Sequence, residues 1–363
     1  MEQPADPNND SSSGGSESQR EQLQPREIAQ VLSHYDLGVI ARIREYRRGS
    51  RRAAKLKLDT ERGEFLLKRK AATHTRERAD AGHLLQAHAA EGGVPIAALF
   101  PLRRGGTLLE LDGRLYELYR WVPGARFEHD PAQAREAGVA LARMHRAFAG
   151  LEFAAGMPTG GFSETSAVER SLAQAHAAAA ARTTGDDERA LLAGFVGSFA
   201  QHLARIEKKL VEKGLPLQQV SVCHGDFHPG NTLWFGVTLG AVIDFDSARY
   251  ESLAAEVANA MLQFSLKHRV GENPDAWQIG LDIDRLHAFS AGYRSVPATV
   301  PHAQLAPLLP WLMMSAVVAE AAGPIARDGD FAGIPAVPFL RATSRCVDWI
   351  SDRTRAISSV FGG

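Results

Sequence analysis

The residues His224-Gly-Asp-Phe-His-Pro-Gly-Asn231, followed by Val242-Ile-Asp-Phe-Asp246, are the most informative part of this 363-residue chain. Asn231 follows Asp226 by five residues, and Asp244 follows Asn231 by 13. The glycines and the proline around Asp226 favour tight, stiff backbone turns. The apolar pair before Asp244 places that residue at the end of a strand. The pattern therefore predicts two carboxylates and one amide side chain close together.

These three side chains are the set that a phosphoryl-transfer site needs. Asp226 is the candidate catalytic base, because a carboxylate there can take the proton of an acceptor hydroxyl late in the reaction. Asn231 and Asp244 are the candidate Mg²⁺ ligands, since that ion prefers oxygen ligands. Asp246 lies two residues beyond Asp244 and could adjust the metal site or pair with Arg249. An isolated Asp-x-Asp is more often a cap or turn, but the full pattern is far more specific.

The two histidines of the motif leave an alternative open. His224, His228 and Asp226 could be drawn as a metal triad. The Asp–Asn–Asp interpretation explains more residues with one mechanism, and it leaves His224 to support the loop through backbone hydrogen bonds. Cys223 precedes the motif and could be a redox switch, although a buried structural cysteine is the more common case.

Lys68 is the candidate phosphate-binding lysine. It closes Phe65-Leu-Leu-Lys68, a short apolar strand that leaves the charged end free to reach inward. A lysine in this role is usually held by an acidic residue on the next helix. Glu77 and Asp80 are the nearest acids, and the spacing favours neither. The alternative is a surface lysine in the basic run that ends at Lys70.

Two further segments are candidates for nucleotide contacts. Gly49 and Ser50 lie at a hairpin turn among several arginines, where backbone N–H groups could cover phosphates, although an ordinary turn is equally compatible. The stretch from Leu118 to Arg120 precedes Trp121-Val-Pro-Gly124, which reads as a connector between two lobes. An adenine base is expected to hydrogen-bond to its backbone, although simple packing between lobes would also explain the apolar residues.

Composition excludes several classes of protein. Lysine plus arginine number 41 and aspartate plus glutamate 42, so no basic field points to nucleic acid or an anionic membrane. Two cysteines cannot build a disulfide framework, which favours a reducing compartment and a cytoplasmic location. The most apolar stretch, 305–325, contains three prolines and a glutamate and is expected to be a core helix.

The order of predicted elements indicates an α+β fold of two lobes. Residues 1–24 are polar and are expected to form a disordered tail. Residues 25–121 predict a small, β-rich N-lobe that binds nucleotide, with an Asp112-Gly113 hairpin. Residues 122–363 predict a larger helical C-lobe with the catalytic loop and the acceptor site. A cleft between such lobes is a common ligand site.

At these residues the chain resembles the aminoglycoside phosphotransferase/choline kinase-like family, which includes homoserine-kinase-like members. The motifs above carry the resemblance, together with Leu141-Ala-Arg-Met-His145, and it covers roughly residues 36–345. It implies a protein-kinase-like bilobal fold, ATP or GTP with Mg²⁺, and transfer of the γ-phosphoryl group to a hydroxyl. It assigns the base to Asp226 and metal binding to Asn231 and Asp244. The family often has an aspartate in the next helix, near the place where Glu256 stands here.

The resulting expectation is a phosphotransferase that acts on a hydroxyl of a small molecule. A serine/threonine protein kinase of the same fold is one alternative, although no activation-loop segment is evident after Asp246. A nucleotide-binding pseudokinase is another, suggested by the glycine-poor loop and the missing acidic partner of Lys68. The sequence identifies neither the acceptor nor the oligomeric state.

Overall fold

The computed structural model describes residues 21–47, 53–152, 156–215, 220–267 and 273–362. Residues 1–20 of the expected tail lie outside this part of the chain. Its last four residues are placed by the structure, because Glu21 pairs with Arg69 at 2.8 Å and Leu23 is buried.

The first part of the described chain builds one antiparallel sheet with strand order β1-β2-β3-β5-β4. Apolar side chains recur with a period of two along the central strands, so Leu58, Leu67 and Leu118 share one buried face with Val31 of helix α1. The register sets Lys68 of β3 opposite Glu117 of β5. The elements are α1 (Pro25–Ser33), β1 (Ile40–Glu45), β2 (Lys55–Thr60), β3 (Gly63–Arg69), α2 (Arg76–Glu91), β4 (Leu108–Leu111) and β5 (Arg114–Arg120).

The second part is mainly helical, and short strand pairs carry the motif. Helices α3 and α7 approach closely because they meet at glycines: a Cβ on Gly138 would lie 2.2 Å from the carbonyl oxygen of Phe289. The elements are α3 (Pro131–Phe148), α4 (Thr165–Ala180), α5 (Asp186–Glu212), β6 (Val220–Cys223), β7 (Thr232–Phe235), β8 (Thr238–Val242), β9 (Arg249–Ser252), α6 (Leu253–Ser265), α7 (Ile283–Arg294), α8 (His302–Leu305), α9 (Leu309–Asp328), β10 (Asp330–Phe331), β11 (Ile334–Pro335), α10 (Ala336–Ser351) and α11 (Thr354–Gly362).

Two breaks divide the helices at the end of the chain. Helix α8 is separated from α9 because Pro307 and Pro310 lack the N–H groups that would continue the first helix. Helices α10 and α11 are separated at Asp352 and Arg353. The α+β architecture itself, a small antiparallel sheet followed by a helical remainder, is confirmed.

Helix α9 is the one helix among the described residues that is long and apolar enough to cross a membrane. Most of its residues are buried within the protein, including Trp311, Leu312 and Met313. The interpretation of this segment as a core helix is therefore confirmed.

Candidate active site

The catalytic-loop motif lies between β6 and β7. Asn231 ends a short 3₁₀ turn and donates its side-chain amide to the carbonyl oxygen and the carboxylate of Asp226, at 2.9 and 3.0 Å. Gly225 has a φ of +79°, and a Cβ on it would lie 2.1 Å from the carbonyl oxygen of Ser247. Only glycine fits this position, so the loop conformation depends directly on the motif.

The second half of the motif lies against the first. The N–H of Ile243 donates to the carbonyl oxygen of Asn231 at 3.0 Å. Asp244 follows β8 in the left-handed conformation, with a φ of +66° and a ψ of +68°. Its side chain accepts a hydrogen bond from the Lys68 ammonium at 3.0 Å. The structure thus brings Lys68 of the sheet to Asp244 of the helical part.

Lys68 has different acidic partners from those considered from the sequence. Glu77 and Asp80 are exposed on α2, and Asp80 lies 3.7 Å from Arg76 instead. Asp246 is the second partner, at 2.8 Å from the lysine. Burial alone would lower the pKa of Lys68, but the carboxylates of Asp244 and Asp246 outweigh this effect and raise that pKa, so Lys68 is charged.

The loop that contains Asp244 and Asp246 has ionised carboxylates for the same reason, and we call it the metal loop because Asp244 is the candidate Mg²⁺ ligand. Lys68 lowers the pKa of Asp244 against the opposing effect of burial. Burial would raise the pKa of Asp246, but Lys68 and Lys70 lower it well below its ordinary range. The loop therefore presents two negative charges to the lysines.

A second buried lysine and a buried glutamate complete this charged cluster. Lys70 contacts both Asp246 and Glu117, and the Glu117 carboxylate also lies 2.6 Å from a ring nitrogen of His83. Burial would raise the pKa of Glu117, but Lys70 and its other partners lower it to about 2. Sequence reasoning missed Glu117 and Lys70. The available signal was a charged residue inside the apolar pattern of β5, and a spacing of two between the lysines.

Glu256 on α6 holds the catalytic loop from behind. Its carboxylate accepts the backbone N–H of Gly225 at 2.6 Å and lies 2.8 Å from Nε2 of His145. Nδ1 of His145 lies 2.7 Å from the hydroxyl of Tyr293. Although burial would raise the pKa of Glu256, the hydrogen bond with His145 outweighs it and lowers that pKa. The buried, charged side chain of Glu256 therefore holds the backbone of Gly225, the residue directly before Asp226.

Cys223 lies beside the hydrogen-bonded side chains of Glu256 and His145, and its role is structural. It is fully buried, and burial raises the pKa of its thiol well above the ordinary value. Its Sγ atom, His145 and Glu256 offer possible metal-ligand atoms within 4.8 Å of one another. The histidine and the glutamate are already hydrogen-bonded to each other and to the backbone or Tyr293, so this cluster is explained without an ion.

The alternative metal triad does not fit the geometry. Nε2 of His224 lies 3.2 Å from the carbonyl oxygen of Ile243, and Nδ1 accepts the N–H of Asp226 at 3.3 Å. Both ring nitrogens of His224 thus support the loop, as the sequence suggested. His228 lies 3.6 Å from Asp226. Burial would lower the pKa of His228, but Asp226 outweighs it and raises that pKa.

The connector partly differs from the expectation. The carbonyl oxygen of Leu118 accepts the N–H of Phe100 at 2.7 Å, and the N–H of Arg120 donates to Ala98 at 2.8 Å. These groups are occupied, so Leu118 is not available to a base. The N–H of Trp121 donates to the carbonyl oxygen of Glu64 on β3 at 3.0 Å. Backbone groups alternate between the two edges of an extended strand, so we expect the carbonyl of Arg120 and the N–H of Val122 to face the edge away from β3. Gly49 and Ser50 lie outside the described residues.

The oxygen atoms present suit Mg²⁺. Asn231 uses its side-chain nitrogen towards Asp226, which directs its amide oxygen elsewhere. Asp244 keeps a second carboxylate oxygen besides the one that contacts Lys68, and about a third of its side chain is exposed. Carboxylate and amide oxygens are the donors that a hard cation requires.

The chain has informative relatives. A homoserine kinase of Rhodopseudomonas palustris (strain TIE-1) is 28% identical over 239 residues, which cover 64% of this chain and 66% of that protein, just under two-thirds of its length. A microcompartment-associated aminopropanol kinase superposes with a TM-score of 0.67 at 17% identity, over 91% of this chain and 98% of that one. A spectinomycin phosphotransferase in complex with ADP and spectinomycin superposes with a TM-score of 0.61 at 15% identity, over 92% and 99%.

The solved structures confirm the fold expected from the resemblance, a protein-kinase-like arrangement of a small sheet lobe and a helical lobe. The model of the phosphotransferase enzyme family matches residues 42–299, which is most of the chain, and the protein therefore belongs to that family.

Proposed function

We propose that this protein moves the γ-phosphoryl group of ATP to a hydroxyl of a small molecule, with Mg²⁺, in the cytoplasm. One observation carries the proposal: the Lys68 ammonium lies 3.0 Å from the Asp244 carboxylate, 176 residues later in the chain. A lysine that binds phosphates and a carboxylate that binds the phosphate-bridging ion must meet at the same point. The pair therefore supports a triphosphate site between the sheet and the catalytic loop.

Asp226 acts as the base in this proposal. Its side chain is 40% exposed, so an acceptor can reach it, and the amide of Asn231 holds its orientation. As the acceptor oxygen bonds to the γ-phosphorus, the bond from phosphorus to the β-phosphate oxygen breaks, and ADP leaves. The acceptor proton passes to Asp226 late in this step, because the transition state is loose.

Asn231 and Asp244 would hold Mg²⁺, and Lys68 would turn from the carboxylates to the phosphate oxygens. When bound, the ion supplies positive charge against the β- and γ-phosphate oxygens. The carbonyl of Arg120 and the N–H of Val122 are proposed to bind the adenine edge in place of the Leu118 carbonyl. The spectinomycin phosphotransferase complex with ADP supports an adenine nucleotide, and GTP is the comparison to make.

The acceptor class is proposed from the relatives. One is named for homoserine and another for aminopropanol, and both compounds combine a hydroxyl with an amine. A panel of amino alcohols, sugars and aminoglycosides, assayed for ADP release, tests the class. Incubation with labelled ATP and a cell extract, with products separated into small molecules and proteins, distinguishes this function from a protein kinase.

The decisive variant is Asp226→Asn. It is expected to abolish phosphoryl transfer while nucleotide binding persists, because only the proton acceptor is lost. Asp275→Asn is the control, since that carboxylate is exposed and pairs with Arg341. Wild-type turnover in Asp226→Asn would refute the role of the base, and no ADP release by the wild type with any acceptor would refute the function.

A further inference from the structure

The end of strand β3 and the residue that follows it carry two buried lysines on the face directed towards the catalytic loop. Lys68 and Lys70 are two residues apart, so their side chains project from the same face. Their side chains are 7% and 3% exposed. Arg69, between them, projects to the opposite face, where it pairs with Glu21 and Glu27 at 2.8 and 2.7 Å. Three consecutive residues thus carry buried cations, of which two face the site.

The two lysines have different partners. Lys68 contacts only the carboxylates of the metal loop, Asp244 and Asp246, among the described residues. Lys70 bridges Asp246 to Glu117 on the neighbouring strand. Glu117 has no exposed surface, so its charge can be compensated only by neighbouring protein groups. A nucleotide can therefore attract Lys68, whereas Glu117 retains Lys70.

Glu117 also links the sheet to helix α2. One of its carboxylate oxygens lies 2.6 Å from Nε2 of His83, and the other accepts the hydroxyl hydrogen bond of Tyr119 at 2.8 Å. Nδ1 of His83 is in turn 2.8 Å from the hydroxyl of Thr107. The acidic residue of this strand-to-helix contact is on the strand and the partner is on the helix. Glu117 thus supplies the acid of this contact, while Lys68 pairs with Asp244 and Asp246.

We infer that Lys70 is a positioning residue that holds Asp246, and with it the metal loop, when Lys68 binds phosphate, and that Glu117 holds Lys70. The inference rests on the proposed function. The cluster contains two lysines and three carboxylates. When Lys68 leaves, Asp246 keeps one cationic partner, because Lys70 is fixed from behind. Arg78 of α2 adds a second restraint by donating to the carbonyl oxygen of Asp246 at 3.1 Å.

The test measures Mg²⁺ dependence of nucleotide binding without turnover, by titrating Mg²⁺ into protein and a fluorescent ATP analogue. Lys70→Met is expected to raise the Mg²⁺ concentration at half-saturation by about 10- to 100-fold, the usual effect of losing a residue that orients a metal ligand. Lys70→Arg is expected to restore most of the affinity. In turnover, kcat is expected to fall for Lys70→Met and to recover in Lys70→Arg.

Arg69→Met is the matched control, because it removes a buried, ion-paired cation from the neighbouring position, where the side chain projects to the opposite face. It is expected to lower the melting temperature and leave the Mg²⁺ titration unchanged. The double variant Lys70→Met/Glu117→Gln removes both charges of the buried pair, which proteins tolerate better than the loss of one. It is expected to fold and to show the same Mg²⁺ defect as Lys70→Met, because the two residues act through each other.

The outcomes separate the inference from the function on which it rests. A folded Lys70→Met protein, or double variant, with a Mg²⁺ titration within about twofold of the wild type would overturn the inference. An equal defect in Arg69→Met would also overturn it, because the effect would then be general destabilisation. A wild type that binds no nucleotide with Mg²⁺ would refute the proposed function itself.

Discussion

The contact between Glu256 and the catalytic loop leads to a quantitative prediction. Glu256→Ala removes the acceptor of the Gly225 N–H and the partner of His145, both in the buried interior. A hydrogen bond to a charged group stabilises a protein by about 1.5–3 kcal/mol. Two such bonds therefore predict a loss of about 3–6 kcal/mol in the free energy of unfolding. Glu256→Gln keeps one acceptor oxygen and is expected to lose about 1 kcal/mol.

Urea unfolding followed by tryptophan fluorescence measures this loss, and steady-state kinetics of the same variants measure its effect on the loop. Because Gly225 precedes Asp226, kcat is expected to fall more than the KM for nucleotide changes. Glu212→Ala is the control, since Glu212 lies on the surface of α5 and pairs with Lys209, and exposed ion pairs contribute little to stability. A loss below about 1 kcal/mol in Glu256→Ala would refute the argument, because the buried carboxylate would then be dispensable.

Three further predictions concern the loop and its charges. Asp244→Ala is expected to abolish the thermal stabilisation by Mg²⁺ and ATP, which for the wild type amounts to about 2.7 kcal/mol at 100 times Kd; equal stabilisation of both proteins would contradict the metal role. Gly225→Ala is expected to lower the unfolding free energy by more than about 2 kcal/mol and to abolish turnover. Gly236→Ala is the control and should lose about 1 kcal/mol, because Gly236 also has a positive φ but no atom lies within 4 Å of the new Cβ. The folded-state pKa of Glu117 is lowered from 4.5 to about 2, so the ionised carboxylate stabilises the folded protein fully above pH 4.5, and this stabilisation is lost as the pH falls from about 4.5 to 2. Glu117→Gln should therefore reduce the slope of the unfolding free energy against pH in that window. An unchanged slope would count against an ionised, ion-paired Glu117.

Local sequence was enough to identify the residues that stand close together along the chain. The spacing of Asp226, Asn231 and Asp244 requires only one turn and one hairpin, and turns and hairpins have recognisable residue signatures. Lys68 could be singled out because a short apolar strand ends there. The Asp112-Gly113 hairpin signal in a β-rich segment also indicated the sheet.

The partners of the buried charges could not be identified in this way. Sequence proximity suggested Glu77 or Asp80 for Lys68, but the structure provides Asp244 and Asp246. The connector shows the same limitation, because the carbonyl of Leu118 accepts a hydrogen bond from Phe100, which belongs to a different segment of the chain. In each case the competing group is distant in sequence and near in space.

The sequence by itself determined which residues are the candidates for the proposed chemistry: a carboxylate, an amide and a second carboxylate at the spacing of a phosphoryl-transfer loop, with a lysine on an early strand. Only the tertiary structure decided how those groups are held. Glu256 is matched with His145 from 111 residues earlier, and Lys70 is held between Asp246 and Glu117. The reason is physical: a motif is specified by local backbone geometry, whereas a buried charge needs a partner of opposite sign that any part of the folded chain can supply.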